Sequence, residues 1–177
     1  MNRAPKRIAP RVAAAAAITV LAVGCYAAGA RVNITKSIPV GLYWTRSAPV
    51  QKGAYVMLCP PQTAVFDDAK ERGYIGAGFC PGGYGYMMKR VLAAKGDAVA
   101  IGDDGVRVNG ALLPHSAPIS ADSAGRPLPR HQPARYTLAV AQVLLMSDVS
   151  ATSFDGRYFG PINRSQIEAV IHPVVTW

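Results

Sequence analysis

The 177-residue chain is long enough for one domain with a buried core and a short appendage. Half of its residues are hydrophobic and only 16% are charged, so the composition is apolar for a soluble protein, and the formal net charge is +9. Four cations lie in the first eleven residues and the others are scattered singly, without the basic block or aromatic interleaving that would indicate nucleic-acid binding.

The first predicted element is an uncharged run of 19 residues at 12–30, directly after the four N-terminal cations. As a helix this run would be about 28 Å long, close to the roughly 30 Å hydrocarbon core of a bilayer. Because the basic flank comes first, the positive-inside rule places residues 1–11 in the cytosol as a basic tail. Residues 31–177 would then form a domain on the outer face of the membrane.

Two alternatives to a retained anchor remain open for this run. Small residues at 28–30 fit the cleavage site of a signal peptide, and the segment 22–25 loosely resembles a lipoprotein box. All three interpretations export the rest of the chain. Export makes Cys59 and Cys80 candidates for a disulfide that closes a loop of about 20 residues, with two free buried thiols as the alternative.

Short apolar segments separated by turn residues predict the remaining elements in chain order. The predicted strands are 42–44, 54–58, 86–93, 98–101, 106–108, 111–113, 136–147 and 166–175. An amphipathic helix is predicted at 63–74, with acidic residues early and basic residues late. Residues 114–135 are predicted to be a long surface loop and 148–159 a polar loop. The pattern indicates a mainly β domain in which 59–85 is a small helical insertion, stapled by the proposed disulfide.

Lys89 is the unusual residue of these strands, because alternation places it on the same face as apolar Met87 and Val91. The simpler interpretation is an edge strand from which the amine reaches water. If the lysine is buried instead, desolvation lowers its pKa, and the neutral amine can accept a proton from a serine hydroxyl. Ser37, on a turn rich in Pro and Gly, is a plausible partner, although turn serines are common.

Other catalytic constellations are not indicated by the residues. The G-x-S-x-G motif of many hydrolases is missing from the sequence. Three scattered histidines and two exported cysteines lack the spacing of metal ligands. We therefore expect neither a metal nor a cofactor.

Four stretches, in this order, resemble the type I signal peptidase family and, within it, the TraF-type branch of conjugative plasmid transfer systems. These are TKSIPVGLY at 35–43, YMMKRVLAAKGD at 86–97, VRVNG at 106–110, and a last box with SD at 147–148 and SFDGRYFG at 153–160. The last box departs from the family's usual Gly-Asp-Asn opening. The resemblance implies a signal-peptidase-like antiparallel β catalytic domain in the periplasm, behind one N-terminal transmembrane helix in the inner membrane.

The resemblance also implies roles for individual residues. Ser37 would be the nucleophile and Lys89 the general base. Asp155 matches an acid that supports the site and pairs with a nearby arginine, with a general structural role as the alternative. Thr35 would supply a side-chain donor to the oxyanion, and Ser153 would hydrogen-bond the lysine.

A family member of this kind would be a serine endopeptidase that processes the pilin precursor of a conjugative transfer system through an acyl-enzyme. Attack by water would give cleavage, and attack by the substrate's own amino terminus would give head-to-tail cyclisation. Expected partners are the pilin precursor, the inner membrane and the conjugative transfer machinery. A general type I signal peptidase and a non-catalytic, membrane-tethered scaffold of a secretion channel are the alternatives.

Overall fold

The computed structural model describes residues 10–177, and strands predominate in that part of the chain. The helices are α1 (Pro10–Ala27), α2 (Ala64–Glu71) and α3 (Gly156–Phe159). The strands are β1 (Ala30–Asn33), β2 (Gly41–Arg46), β3 (Tyr55–Leu58), β4 (Ala77–Cys80), β5 (Met87–Ala93), β6 (Ala98–Gly102), β7 (Gly105–Val108), β8 (Ala111–Leu112), β9 (Arg135–Thr137), β10 (Gln142–Met146), β11 (Ile162–Asn163) and β12 (Ile167–Thr176).

Two antiparallel sheets form the body of the domain. The larger sheet has the strand order β1-β2-β12-β3-β5-β10-β11, and the smaller has the order β8-β7-β6-β9. Alternate side chains of the central strand β5 are buried, because successive residues of a strand face opposite sides of the sheet. The predicted mainly β, antiparallel architecture of the domain is confirmed.

Helix α1 has no buried side chain and is long and apolar enough to cross a membrane. Its length and composition fit a membrane anchor and a signal sequence equally well. The helix ends three residues before the predicted end of the apolar run at 30, and β1 begins there and pairs with β2. Residues 1–9 of the predicted basic tail lie outside the described residues.

The insertion at 59–85 contains α2 and β4, and a disulfide joins Cys59 to Cys80 across it. Helix α2 is shorter than predicted because Gly73, with a φ of 79°, ends it in a Schellman motif. In that motif the Tyr74 N–H donates to the Ala69 carbonyl at 2.8 Å. The turn thus fixes the direction in which Tyr74 leaves the helix, and this side chain reaches the candidate active site.

Two predictions in the C-terminal half are wrong. The predicted strand 136–147 is two strands of different sheets, β9 and β10, separated by a turn in which the Gln142 N–H donates to the Ala139 carbonyl. The segment 148–159, predicted to be a polar loop, ends in the buried helix α3. Two of the segment's charged residues, Asp155 and Arg157, are fully buried and neutralise each other.

Candidate active site

Ser37, the predicted nucleophile, lies on the turn between β1 and β2, and the buried side chain of Asn33 holds that turn together. The Asn33 amide nitrogen donates to the carbonyls of Thr35, Ile38 and Pro39 at 2.8, 3.0 and 3.1 Å. Its amide oxygen accepts from the Thr35 N–H at 3.1 Å. One side chain therefore satisfies backbone groups on both sides of Ser37, which fixes where the hydroxyl points.

Lys89, the predicted general base, is 2% exposed on the buried face of β5, together with Met87 and Val91. The predicted alternation is confirmed, and the alternative of an amine that reaches water is wrong. The Lys89 Nζ donates to Ser37 Oγ at 2.9 Å and to Ser153 Oγ at 2.7 Å. A turn and a loop that are far apart in sequence thus bring Ser37 and Ser153 into contact with Lys89 on β5.

The surroundings of Lys89 disfavour its positive charge. Burial lowers the pKa of Lys89 from 10.5 to about 8; the nearby charge of Asp155 acts in the opposite direction, and that of Arg157 in the same direction. No carboxylate hydrogen-bonds the amine within residues 10–177. The amine can therefore be neutral in an appreciable fraction of molecules near neutral pH.

Asp155 and Arg157 form a fully buried ion pair next to this contact. The Arg157 Nε and Nη2 donate to the two carboxylate oxygens of Asp155 at 2.8 and 2.9 Å. The Ser147 N–H also donates to this carboxylate, at 3.0 Å, and the Arg157 Nη1 donates to the Ala151 carbonyl at 2.9 Å. The pair ties down the backbone that precedes Ser153, so Asp155 is linked to Lys89 through the loop that carries this serine.

Thr35, the predicted oxyanion donor, uses its hydroxyl within the turn. The Thr35 Oγ1 donates to the Asn33 amide oxygen at 2.9 Å. The Ser37 N–H, by contrast, has no acceptor in the part of the chain that the structure describes. A backbone donor beside a serine hydroxyl is the group that stabilises an oxyanion in acyl transfer.

Two depressions open beside Ser37. The lysine groove has a volume of about 220 Å³ and is bordered by Thr35, Ser37, Tyr86 and Lys89. The serine cleft has a volume of about 210 Å³, and its lining residues include Lys36, Ser37, Tyr74, Ser153 and Phe154. Ser37 therefore borders open space that a peptide can enter. The insertion stapled by the Cys59–Cys80 disulfide contributes Tyr74 to both depressions.

Asn33 is the site residue that the sequence analysis missed. Its signal was the Asn-x-Thr pattern just before the turn, since asparagine side chains often bond the backbone two residues further on. That pattern is common in ordinary turns. The pattern becomes informative only in the folded chain, where β1 and β2 bring the Ile38 and Pro39 carbonyls within reach of the Asn33 amide.

The sequence of the chain is similar to one described family and to several curated proteins. A profile of the family described as signal peptidase, peptidase S26, matches residues 5–177. A plasmid transfer protein TraF of Escherichia coli is 77% identical over 178 residues, which cover 100% of both chains. The conjugal transfer protein TraF of Agrobacterium fabrum is 38% identical over 84% of both chains. The probable conjugal transfer protein TraF of Sinorhizobium fredii is 34% identical over 97% of this chain and 93% of its own length.

A solved structure with a similar arrangement is that of a signal peptidase I from Enterococcus faecalis V583. It covers 71% of this chain and 98% of its own length, with a TM-score of 0.41 and 19% sequence identity.

Proposed function

The chain belongs to the signal peptidase family S26 together with the TraF plasmid transfer proteins, and from this premise we propose that it is a serine endopeptidase with a Ser37/Lys89 dyad. The observation that carries the proposal is the 2.9 Å contact between Lys89 Nζ and Ser37 Oγ. This contact joins a hydroxyl to a buried amine whose pKa is lowered to about 8. A lysine in such a setting suits a general base better than a structural cation.

In the first half of the reaction, neutral Lys89 takes the proton of Ser37 as Oγ attacks the carbonyl carbon of the scissile bond. The oxyanion that forms faces the Ser37 N–H. Thr35 can add a second donor if its hydroxyl turns away from Asn33. Lys89 then gives its proton to the departing amine, and the acyl group stays on Ser37 as an ester.

In the second half, Lys89 takes a proton from the incoming nucleophile as it attacks the ester carbonyl. The bond between the acyl carbon and Ser37 Oγ then breaks, and Lys89 returns the proton to Oγ. Ser153 accepts a hydrogen bond from Lys89 at 2.7 Å and keeps the amine directed at Ser37. The Asp155–Arg157 pair acts on Lys89 indirectly, because it fixes the loop that carries Ser153. Asp155 is thus a positioning residue in this mechanism.

The proposed substrate is the pilin precursor of a conjugative transfer system, held at the periplasmic face of the inner membrane. The names of the TraF relatives, which refer to plasmid and conjugal transfer, support this choice over a general export peptidase. Ser37 follows the end of α1 by ten residues, so a membrane-spanning α1 would keep the hydroxyl within about 35 Å of the bilayer. Attack by the substrate's own amino terminus would give a cyclic product.

Co-expression of the full chain with the pilin precursor of the same transfer system, followed by intact mass measurement of the pilin, tests the proposal. We expect Ser37→Ala and Lys89→Met to abolish processing, while the exposed controls Ser47→Ala and Lys95→Met retain it. A product lighter by one further water would identify cyclisation. Unchanged processing with Ser37→Ala would reject the peptidase and leave the tethered scaffold.

A further inference from the structure

Tyr74 is a wall residue of three neighbouring depressions. It lines the lysine groove, the serine cleft and a third cavity of about 310 Å³. Phe154 also lines all three, and the centroid of its ring lies 5.5 Å from that of the Tyr74 ring. The two rings therefore form a wall that the three depressions share, and two of these depressions border Ser37.

The loop 114–135 holds the Tyr74 ring in its position. The Tyr74 hydroxyl donates to the carboxylate of Asp122, which also accepts from the Arg126 Nε at 2.7 Å. Since the Asp122 side chain is only 9% exposed, water competes little for these bonds. The Arg126 guanidinium lies 5.7 Å from the centroid of the Tyr74 ring, and its Nη2 donates to the Arg72 carbonyl at 3.3 Å. The loop thus fixes a ring that the disulfide-stapled insertion supplies.

A substrate residue whose carbonyl carbon is attacked by Ser37 must place its side chain close to this wall. Its Cβ is two bonds from the attacked carbon, so the side chain enters the space beside the Ser37 hydroxyl. Ser37 borders both the lysine groove and the serine cleft, and Tyr74 lines both. Their volumes of about 220 and 210 Å³ are small for ligand pockets. A large side chain would therefore meet the Tyr74 ring in whichever of the two depressions it entered.

We propose that Tyr74 is a specificity-determining residue, which limits the size of the substrate side chain next to the scissile carbonyl, and that Asp122 is a positioning residue that holds the Tyr74 ring. A small side chain fits in front of the ring. A larger one must displace the ring against its hydrogen bond and its packing on Phe154. Truncation of Tyr74 would enlarge the space beside Ser37 and relax the limit. This inference rests on the proposed function.

Hydrolysis of two tripeptide methyl esters by the purified full chain in detergent micelles tests the inference. One ester ends in alanine and the other in leucine, so they differ only in the side chain next to the carbonyl that Ser37 attacks. For the wild type we expect kcat/KM to be about tenfold higher for the alanine ester. Tyr74→Ala should lower this ratio about tenfold. Comparison of the ratio between variants cancels the difference in intrinsic reactivity between the esters.

Further variants separate the ring from the hydrogen bond that holds it. Asp122→Ala and Tyr74→Phe both remove this bond and keep the ring, so each should lower the ratio about threefold. Because the two variants lack the same bond, the double variant should lower the ratio no further. Tyr74→Leu shortens the side chain but keeps apolar packing on Phe154, and it carries the test if Tyr74→Ala fails to fold. Phe79→Ala, which removes a 94% exposed ring from the same insertion, is the matched control and should keep the wild-type ratio.

The outcomes distinguish failure of this inference from failure of the proposed function. Equal kcat/KM for the two esters in the wild type, or a wild-type ratio in both Tyr74→Ala and Tyr74→Leu, would overturn the size limit and leave the dyad in place. A lower ratio in Tyr74→Ala with wild-type ratios in Asp122→Ala and Tyr74→Phe would overturn the positioning role of Asp122. Ester hydrolysis that is absent, or equal in wild type and Ser37→Ala, would overturn the proposed function and the inference with it.

Discussion

Lys89 on β5 and Arg157 on α3 are two buried cations, and they differ in what surrounds their charge. Arg157 donates to both oxygens of Asp155, at 2.8 and 2.9 Å. Lys89 donates to two hydroxyls, those of Ser37 and Ser153. A buried cation that faces a carboxylate keeps its charge and braces the fold, whereas a buried cation that faces hydroxyls is poised to lose its proton. The surroundings of Arg157 therefore suit a structural role, and those of Lys89 suit proton transfer.

The largest effect should come from Lys89→Met, which keeps the bulk of the side chain and removes the base. We expect activity to fall by about 10⁴-fold or more, because proton transfer to and from Ser37 is lost. Hydrolysis of a tripeptide methyl ester that ends in alanine, by the purified full chain in detergent micelles, measures this loss directly. Lys95→Met, at an exposed position, is the control and should keep full activity.

The same variant should gain stability, which sharpens the contrast with Arg157. Since burial lowers the pKa of Lys89 from 10.5 to about 8, the unfolded chain binds the proton more tightly than the folded chain. Below pH 8 the folded wild type therefore carries a penalty of roughly 3 kcal/mol, which shrinks as the pH rises towards 10.5. Denaturant unfolding should show Lys89→Met more stable at pH 7, with a smaller difference at pH 10. A difference that does not depend on pH would contradict the desolvation argument.

Asp155→Asn should have the opposite effect on stability. The substitution leaves Arg157 buried without a counter-charge, so we expect the free energy of unfolding to fall by about 3–5 kcal/mol. Asp104→Asn breaks the exposed pair of Asp104 with Arg107 and should cost at most about 1 kcal/mol in the same denaturation experiment. Similar losses in the two variants would show that Arg157 does not depend on its carboxylate.

The pH dependence of turnover tests the lysine side of the comparison without a substitution. Because the base works in its neutral form, kcat/KM should rise with pH, about tenfold between pH 6 and pH 7, and level off above pH 8. Measurement of ester hydrolysis across this range gives the midpoint. A midpoint near the ordinary lysine pKa of 10.5 would mean that Lys89 is not desolvated in the working enzyme.

The two cations were not equally predictable from the sequence. Alternation along β5 placed Lys89 on a buried face, because Met87 and Val91 show the period of a strand without any tertiary information. The burial of Arg157 could not be read in this way, since a charged residue in a polar segment normally faces water. It becomes buried only when Asp155 and distant carbonyls satisfy it.

Contacts between distant segments also limited what could be predicted from the sequence elsewhere in the chain. The continuous apolar pattern over 136–147 did not show that β9 and β10 would join different sheets, because hydrophobicity does not specify the partner strand. Ser37 by its residues alone was an ordinary turn serine. The family resemblance, and not the local pattern, identified Ser37 as the candidate nucleophile. The contact between its hydroxyl and the Lys89 amine supports that prediction.

The smallest effect concerns the Asn33 turn, which supports the serine half of the contact. Asn33→Ala removes the donor to the Thr35, Ile38 and Pro39 carbonyls, so Ser37 should lose its fixed direction. We expect kcat to fall about tenfold with KM unchanged, since the lost interaction matters only when Oγ attacks. The midpoint of the pH profile should also move upwards, because a displaced turn admits water to Lys89 and relieves its desolvation.

Thr35→Val separates positioning by Asn33 from a direct role of the Thr35 hydroxyl. If the hydroxyl only braces Asn33, Thr35→Val should lower kcat less than Asn33→Ala, because the amide nitrogen keeps its three acceptors. If the hydroxyl turns towards the oxyanion, Thr35→Val should instead lower kcat by about 10²- to 10³-fold. Reduced stability of Asn33→Ala with an unchanged kcat and pH midpoint would make the asparagine a purely structural residue.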